Sequence, residues 1–270
     1  MMTKNEPESI EIVRKKYEKV SERFDRYENA FIGNLYNKLE WKSLVEIYLP
    51  KDRNARILDA GGGTGRIILP LAKMGYKPIL LDVSSKMLNV AKEKLQKKRI
   101  LNRVKIVEAD IASLPFSDET FDLVICLHGP LSIANSLKAC KEFSRIMKKG
   151  SKIIVSAHSR YWACMHELTL GHLEIALKLS NYELDYAYDL YGDWCRVFSL
   201  EELKELFEKN DIKVFDIYGS FTELLPARIS ELSKWDDKLF SQVEKLMLRL
   251  REEPSVIGMA FNLTLVGEKR

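Results

Sequence analysis

A short apolar segment that runs into three alternating glycines places the strongest constraint on this chain. Residues 56–60 read Arg-Ile-Leu-Asp-Ala, and Gly61, Gly63 and Gly65 follow at every second position before another apolar run begins. Glycine adopts backbone angles that a Cβ atom forbids, and it lets the backbone approach a bound ligand closely. The pattern therefore predicts a strand, a tight loop and a helix that together bind a nucleotide-like cofactor.

The spacing of the glycines separates three classes of cofactor. A dinucleotide loop, G-x-G-x-x-G, needs glycine or alanine at position 66, where this chain has Arg66. A phosphate-binding P-loop needs lysine directly after its last glycine, and no lysine follows Gly65 before Lys73. The remaining form is an acidic residue followed by alternating glycines, here Asp59 to Gly65. It suits S-adenosylmethionine, because that cofactor carries an ammonium and a sulfonium group.

Two more acidic residues stand at the ends of the next predicted strands. Asp82 closes an apolar run seventeen residues after Gly65, where α/β folds place the acid that binds ribose hydroxyls. Asp110 follows the third strand and is expected to accept from the adenine amino group, while Ile111 packs on the ring. A single strand-end aspartate is weak evidence, because aspartate is common in turns. Three at successive strand ends predict a cofactor site.

The motifs and their order resemble the class I S-adenosylmethionine-dependent methyltransferases, and within them the small-molecule group that includes quinone-biosynthesis C-methyltransferases. The resemblance is strong over residues 55–157, and residues 198–218 are similar to the later helix and sixth strand. It is carried by residues 57–65, 81–88, 109–116 and 121–126. The cofactor-binding residues that follow from the motifs are Asp59, Ala60, Gly61, Gly63, Gly65, Asp82, Val83, Met87, Asp110, Ile111 and Leu127.

Strands and helices alternate from residue 56 onward, which predicts an α/β fold with a Rossmann-like, doubly wound and mostly parallel sheet. The seven strands are expected at residues 56–60, 78–82, 104–108, 121–126, 151–157, 213–218 and 258–266. The resemblance implies that the last strand is antiparallel and inserts between the fifth and sixth. The predicted organisation is an N-terminal helical cap at 1–50, a methyltransferase domain at 51–157 and 199–270, and an aromatic-rich substrate-cap insert at 158–198.

The cap and the insert are the two segments expected to cover the cofactor and the substrate. One face of a predicted N-terminal helix carries Ile10, Val13, Tyr17, Val20, Phe24 and Tyr27, and a second helix is expected at 35–48. The alternative is that these helices only pack on the sheet edge, and that the rings of the insert form a small core of their own. The residues expected to line the substrate pocket are Tyr27, His158, Arg160, Tyr161, Trp162 and Trp194.

His128 is the candidate catalytic residue, two positions beyond the fourth strand. Methyl transfer needs a base only when the acceptor must lose a proton, and a histidine that titrates near neutrality can accept one. The alternative is that His128 shapes the turn made by Gly129 and Pro130. No metal is expected, because the gaps between His158, Cys164, His166 and His172 match no familiar ligand pattern.

Composition narrows the class of partner and the compartment. The net charge of +4 is spread over 43 basic and 39 acidic residues, which argues against nucleic acid as a partner, although the basic run Lys92 to Lys105 leaves a polyanion contact open. The four cysteines form no C-x-x-C pair, and no apolar run approaches the roughly 20 residues of a membrane span. A cytoplasmic protein without a membrane span is expected.

The function predicted from the sequence is an S-adenosylmethionine-dependent methyltransferase. It would transfer the methyl group to a small molecule, aromatic or isoprenoid, by in-line displacement, and release S-adenosylhomocysteine. An RNA-directed methyltransferase that uses the patch Lys97 to Arg99 is the alternative enzyme. A protein that binds S-adenosylmethionine without catalysis is the alternative outside enzymes.

Overall fold

A computed structural model describes residues 7–28, 39–41, 45–189, 192–220 and 237–270. Its strands are β1 Ile57–Ala60, β2 Ile79–Asp82, β3 Lys105–Glu108, β4 Phe121–Cys126, β5 Met147–Ser159, β6 Tyr186–Tyr188, β7 Trp194–Phe198, β8 Ile212–Ser220 and β9 Asn262–Lys269. Its α-helices are α1 Ile10–Glu28, α2 Glu46–Tyr48, α3 Ile68–Lys73, α4 Ser85–Lys97, α5 Pro130–Ile133, α6 Ser136–Ile146, α7 Arg160–Thr169, α8 Leu173–Ser180, α9 Leu200–Glu208, α10 Asp237–Leu250 and α11 Pro254–Ile257.

The seven predicted strands form one sheet in the order β3-β2-β1-β4-β5-β9-β8. The first five are parallel, whereas β9 runs antiparallel to both of its neighbours, β5 and β8. The predicted insertion of an antiparallel last strand is therefore confirmed. The carboxyl ends of β1, β2 and β4 meet at one edge of the sheet, which is where open α/β folds bind their ligands.

The insert adds two strands that the sequence analysis did not predict. β6 and β7 form an antiparallel hairpin, and β7 continues the sheet through His158, which pairs with Val197 in parallel register. The hairpin is rich in tyrosine and tryptophan, residue types that favour strands as well as pockets. Within the described part of the chain the sheet has nine strands instead of seven.

Alternating side chains of the strands supply cores on both faces of the sheet. Leu58 packs with Phe143 of α6 and Phe207 of α9 in one buried cluster, while its neighbour Ile57 belongs to a cluster on the opposite face with Leu71 of α3. This division follows from the two-residue period of a strand. Helices thus pack on both faces of the sheet, as in a doubly wound fold.

Side-chain caps fix the start of two helices, and the boundaries of β5 and β9 differ most from the prediction. Ser84 accepts from the Met87 amide at the start of α4, and Ser199 with Glu202 forms a capping box on α9. β5 begins earlier and ends later than predicted, whereas β9 begins only at Asn262 because a helix, α11, precedes it. None of the described helices is long and apolar enough to cross a lipid bilayer.

Candidate active site

A cavity of about 890 Å³, counted to its open mouth, lies at the carboxyl ends of β1, β2 and β4. Nine of the eleven predicted cofactor residues line it, namely Asp59, Gly61, Gly63, Asp82, Val83, Met87, Asp110, Ile111 and Leu127. The other two lie behind the lining. Ala60 is fully buried in the core, and Gly65 faces Ala91 of α4. The residues that the sequence motifs predicted to bind one cofactor are thus brought to a single cavity.

The glycine loop forms a cradle that side chains would fill. Gly61 has a φ of +75°, and a Cβ atom there would lie 2.5 Å from the Pro130 side chain. A Cβ atom at Gly62 would collide with the Asp59 carboxylate. The amides of Gly61 and Gly62 donate to the Leu81 carbonyl at 2.7 and 3.0 Å, which ties the loop to β2. Packing inside the loop therefore requires glycine at 61 and 62, and Gly61, Gly62 and Gly63 line the cavity without side chains.

Asp82 is held for hydrogen bonding to a ligand. Its carboxylate accepts from the Gly63 amide at 2.9 Å and from the Ser84 amide at 2.8 Å, one to each oxygen. Burial raises the pKa of Asp82 to about 6, although the backbone amides around it act in the opposite direction. A carboxylate oxygen has a second acceptor site, so Asp82 retains the capacity to accept two hydroxyl hydrogens. This capacity fits a ribose.

His128 lies at the cavity beside two charged residues that the sequence analysis did not assign to the site. Its Nε2 atom lies 2.5 Å from Oε2 of Glu40, and the same carboxylate oxygen lies 3.8 Å from the Arg66 guanidinium. Burial lowers the pKa of His128, Arg66 lowers it further, and Glu40 opposes both. No pattern in the sequence around Glu40 indicates this contact. From the sequence, Arg66 was used only to exclude a dinucleotide-binding loop.

The turn at His128 supports both interpretations of this residue. Its φ of +68° is in the left-handed region, which is rare for residues other than glycine and is found preferentially at functional sites. The His128 amide donates to the Ser156 hydroxyl at 2.7 Å, so the neighbouring strand β5 fixes the turn. The residue shapes the turn and also presents its ring to the cavity.

Helix α1 covers one side of the cavity. Ile10, Val13, Tyr17 and Phe24 line it, and all four belong to the apolar face that the sequence predicted. The Tyr17 hydroxyl donates to Asp193 at 2.9 Å, and Lys16 pairs with the same carboxylate. The helix is thus attached to the loop between β6 and β7. The side chain of Tyr27 and half of the second predicted helix, residues 35–38 and 42–44, lie outside the described residues.

The other five predicted substrate-pocket residues lie outside the described lining of the cavity. Arg160 and Trp162 are buried within the insert, where Trp162 packs against Phe261 with ring centroids 4.6 Å apart. Tyr161 is 38% exposed, and Trp194 stacks on Tyr186. His158 is buried beside Asp189, with 3.7 Å between Nε2 and Oδ2. The rings of Trp162 and Trp194 pack against other aromatic rings, as the side chains of a small core in the insert would.

Comparison with known proteins assigns the class of this domain. A family model described as "Methyltransferase domain" matches residues 58–155. The ubiquinone/menaquinone biosynthesis C-methyltransferase of Pectobacterium carotovorum is 34% identical over 111 residues, 40% of this chain and 44% of that protein. The corresponding protein of Teredinibacter turnerae is 27% identical over 193 residues, 70% of each chain. The chain thus spans less than half the length of the Pectobacterium relative.

Solved structures agree on the fold. A methyltransferase of Thermotoga maritima covers 94% of this chain and 98% of its own, with 22% identity and a TM-score of 0.61. A geranyl diphosphate methyltransferase solved with S-adenosylmethionine covers 87% of this chain and 85% of its own, with 13% identity and a TM-score of 0.58. The sheet order, the glycine loop and the position of Asp82 after β2 are those of a class I methyltransferase fold. Residues 58–155 thus match a methyltransferase domain, and the solved structures that share this fold include S-adenosylmethionine-dependent methyltransferases.

Proposed function

We propose that this protein transfers a methyl group from S-adenosylmethionine to a small, uncharged and largely apolar acceptor, with a hydroquinone-type ring as the model. The observation that carries this proposal is that one cavity joins the glycine cradle and Asp82 to His128 and to the apolar face of α1. The relatives of this chain include quinone-biosynthesis C-methyltransferases, which supports a hydroquinone-type acceptor. The free thiols of all four cysteines support the cytoplasm as the site of the reaction.

The charges at the cavity favour an uncharged acceptor over a diphosphate. Among the described lining residues Arg66 is the one arginine, no lysine lines the cavity, and Glu40 lies 3.8 Å from that guanidinium. A diphosphate would need several cations to replace its hydration. The basic patch at residues 97–99 also lies outside this lining, and a mostly apolar cavity without it favours a small substrate over RNA.

Some of the described residues bind the cofactor, and others transfer a proton. When bound, S-adenosylmethionine supplies an electrophilic methyl group on a sulfonium. Asp82 accepts from the ribose, and the apolar face of α1 excludes water from the cavity. Glu40 accepts a hydrogen bond from the Nε2–H group of His128. This bond orients the ring and leaves Nδ1 as the unprotonated nitrogen that carries the lone pair. Because burial lowers the pKa of His128, Nδ1 is unprotonated at neutral pH and takes the proton that the acceptor loses.

The test measures transfer of label from methyl-tritiated S-adenosylmethionine to a hydroquinone with a short isoprenoid chain, with geranyl diphosphate as the competing acceptor. His128→Ala should lower kcat by about 10² to 10⁴ and leave the affinity for S-adenosylhomocysteine nearly unchanged. Glu40→Gln should lower kcat and move the acidic limb of the pH profile to lower pH, because Glu40 raises the pKa of His128.

The matched control is His172→Ala, since His172 also contacts a glutamate, Glu167 at 2.7 Å, but lies in the insert. Its kcat should be that of the unmodified protein. Full activity of the His128 variant, with a pH profile flat from about 6 to 8, would remove His128 from catalysis. Label transfer to geranyl diphosphate alone would overturn the assignment of an uncharged acceptor.

A further inference from the structure

A second group of chemically active side chains is buried where the insert meets the sheet. His158 is the penultimate residue of β5, Asp189 follows β6 and Cys195 lies on β7. One ligand atom from each lies within 4.8 Å of the other two. All three residues are buried, with 5%, 7% and 1% of their surfaces exposed. Their positions in the chain match no sequence motif for a metal, because the hairpin brings them together only in the folded protein.

The distance between the histidine and the aspartate matches two ligands of one cation. Nε2 of His158 lies 3.7 Å from Oδ2 of Asp189, which is too long for a hydrogen bond. Zinc bonds of about 2.0–2.2 Å to nitrogen and oxygen at a tetrahedral angle place the two ligand atoms roughly 3.4 Å apart. A cation therefore fits between them after a small adjustment. The Cys195 sulfur lies within 4.8 Å of the other two ligand atoms and must move closer by up to about 1 Å, because zinc–sulfur bonds are about 2.3 Å long.

The neighbours of the three residues orient them toward a common point. The Asp193 amide donates to Oδ1 of Asp189 at 2.8 Å, so Oδ2 is the oxygen that faces His158. Asn262 interacts with the same imidazole, and a second partner of this kind is typical of histidines that bind metals.

The charges around the cluster favour a cation. Lys16 pairs with Asp193, and Asp189 places a further carboxylate in the same buried region. A divalent cation would displace the Cys195 proton to solvent and bind the resulting thiolate.

We propose that His158, Asp189 and Cys195 bind one zinc ion that fastens the β6–β7 hairpin to the end of β5. A thiolate with an imidazole selects zinc over magnesium or calcium, which prefer oxygen ligands alone. Three protein ligands leave a fourth position for water or an acceptor group. The site adjoins the cavity, because Nε2 of His158 lies 3.1 Å from the point where a Cβ atom at Gly129 would stand. Zinc binding does not depend on the proposed methyl transfer.

The experiment titrates the full-length, chelator-treated protein with cobalt(II), a coloured substitute for zinc. The expected result is one equivalent bound, with a thiolate-to-cobalt charge-transfer band and the intense visible bands of a four-coordinate site, all of which zinc abolishes by displacement. X-ray absorption of the zinc form should show one sulfur ligand. No charge-transfer band at one equivalent, or no sulfur ligand at the zinc, would overturn the proposal.

Variants identify the ligands. Cys195→Ser should remove the charge-transfer band, and His158→Ala and Asp189→Asn should each weaken cobalt binding at least tenfold. Cys164→Ser and His172→Ala are the matched controls, because they change the same residue types in the insert outside the cluster. Both should bind as the unmodified protein does. Circular dichroism and S-adenosylhomocysteine binding show that each variant is folded, and a band that persists in folded Cys195→Ser would contradict the assignment.

Discussion

Asp82 is the single residue on which the cofactor site depends most. It is a buried acid whose carboxylate accepts hydrogen bonds from backbone amides of the glycine loop and of Ser84, which precedes α4, so its charge orients both elements. Ionised carboxylates are the stronger hydrogen-bond acceptors, so the proposed contact with a ribose requires this one to be ionised. Burial raises the pKa of Asp82 to about 6, above the ordinary 3.8. The ionised form is therefore lost as the pH falls through 6.

We expect the affinity for S-adenosylhomocysteine to be constant above about pH 7 and to fall about tenfold between pH 7 and pH 5, as one proton is taken up by a single group. Isothermal titration calorimetry across this range measures it. Asp82→Asn should bind more weakly at neutral pH and show almost no pH dependence in the same window. An unmodified protein whose affinity is equal at pH 5 and pH 7 would show that the charge of Asp82 does not act on the ligand.

The sequence predicted the glycines and strand-end acids of the site but missed Glu40 and Asp189. Gly61, Asp82 and Asp110 are recognisable because each stands at a fixed offset from a strand, and the sheet brings strand ends together by itself. Glu40 approaches the cavity, and Asp189 approaches the separate buried cluster of His158 and Cys195. Both come from segments whose placement depends on tertiary packing. No local pattern encodes such a contact, so only the folded chain reveals it.

Among the elements, the insert departs most from its prediction, and Arg160 shows why. The residue follows β5 directly, where a polar group of the substrate was expected, but its side chain is fully buried. It donates to Glu202 at 2.9 and 2.7 Å, to Asp185 at 2.7 Å, and to the carbonyls of Leu179 and Leu184 at 3.1 and 2.7 Å. One guanidinium thereby ties α7, α8 and the β6 hairpin to the capping box of α9.

Arg160→Ala should lower the free energy of unfolding by about 2–3 kcal/mol, because buried acceptors lose a charged donor. This loss of stability should lie at the low end of the range for breaking a buried ion pair. Glu202 and Asp185 are about a quarter to a third exposed, so water can hydrate their carboxylates once the guanidinium is removed. Urea unfolding followed by circular dichroism measures it. Arg145→Ala is the control, with a similar set of bonds on a side chain that is 32% exposed, and should cost less. Equal losses would contradict the role assigned to Arg160.

The elements predicted correctly are those with a strong local signal. β1, β2 and β4 are short apolar runs between turn residues, and α9 has a complete capping box, so their positions follow from the sequence. β6 and β7 are three and five residues long and are rich in aromatic residues. Such segments fit a strand and a pocket wall equally well, and pairing with β5 decides between them.

At the scale of the whole molecule, the cofactor cavity is assembled from parts that are distant in sequence. The glycine loop, α4, the turn at His128 and helix α1 all contribute to its lining. Tyr17 and Lys16 extend the connection from α1 to the loop at Asp193. A ligand in this cavity therefore contacts both the central sheet and the N-terminal helix. Binding should stabilise the folded chain as a unit.

The last prediction follows from that coupling. A ligand that binds only the folded state at one hundred times its Kd stabilises it by about 2.7 kcal/mol. For a chain of this size each kcal/mol moves the Tm by roughly 2–4 °C, so S-adenosylhomocysteine should raise the Tm by roughly 5–10 °C. NADH should have no effect, because Arg66 stands where a dinucleotide loop needs glycine or alanine. Scanning calorimetry measures both, with Asp82→Ala as the variant whose shift at the same ligand concentration should fall by more than half. A larger shift with NADH than with S-adenosylhomocysteine would contradict the assignment of the loop.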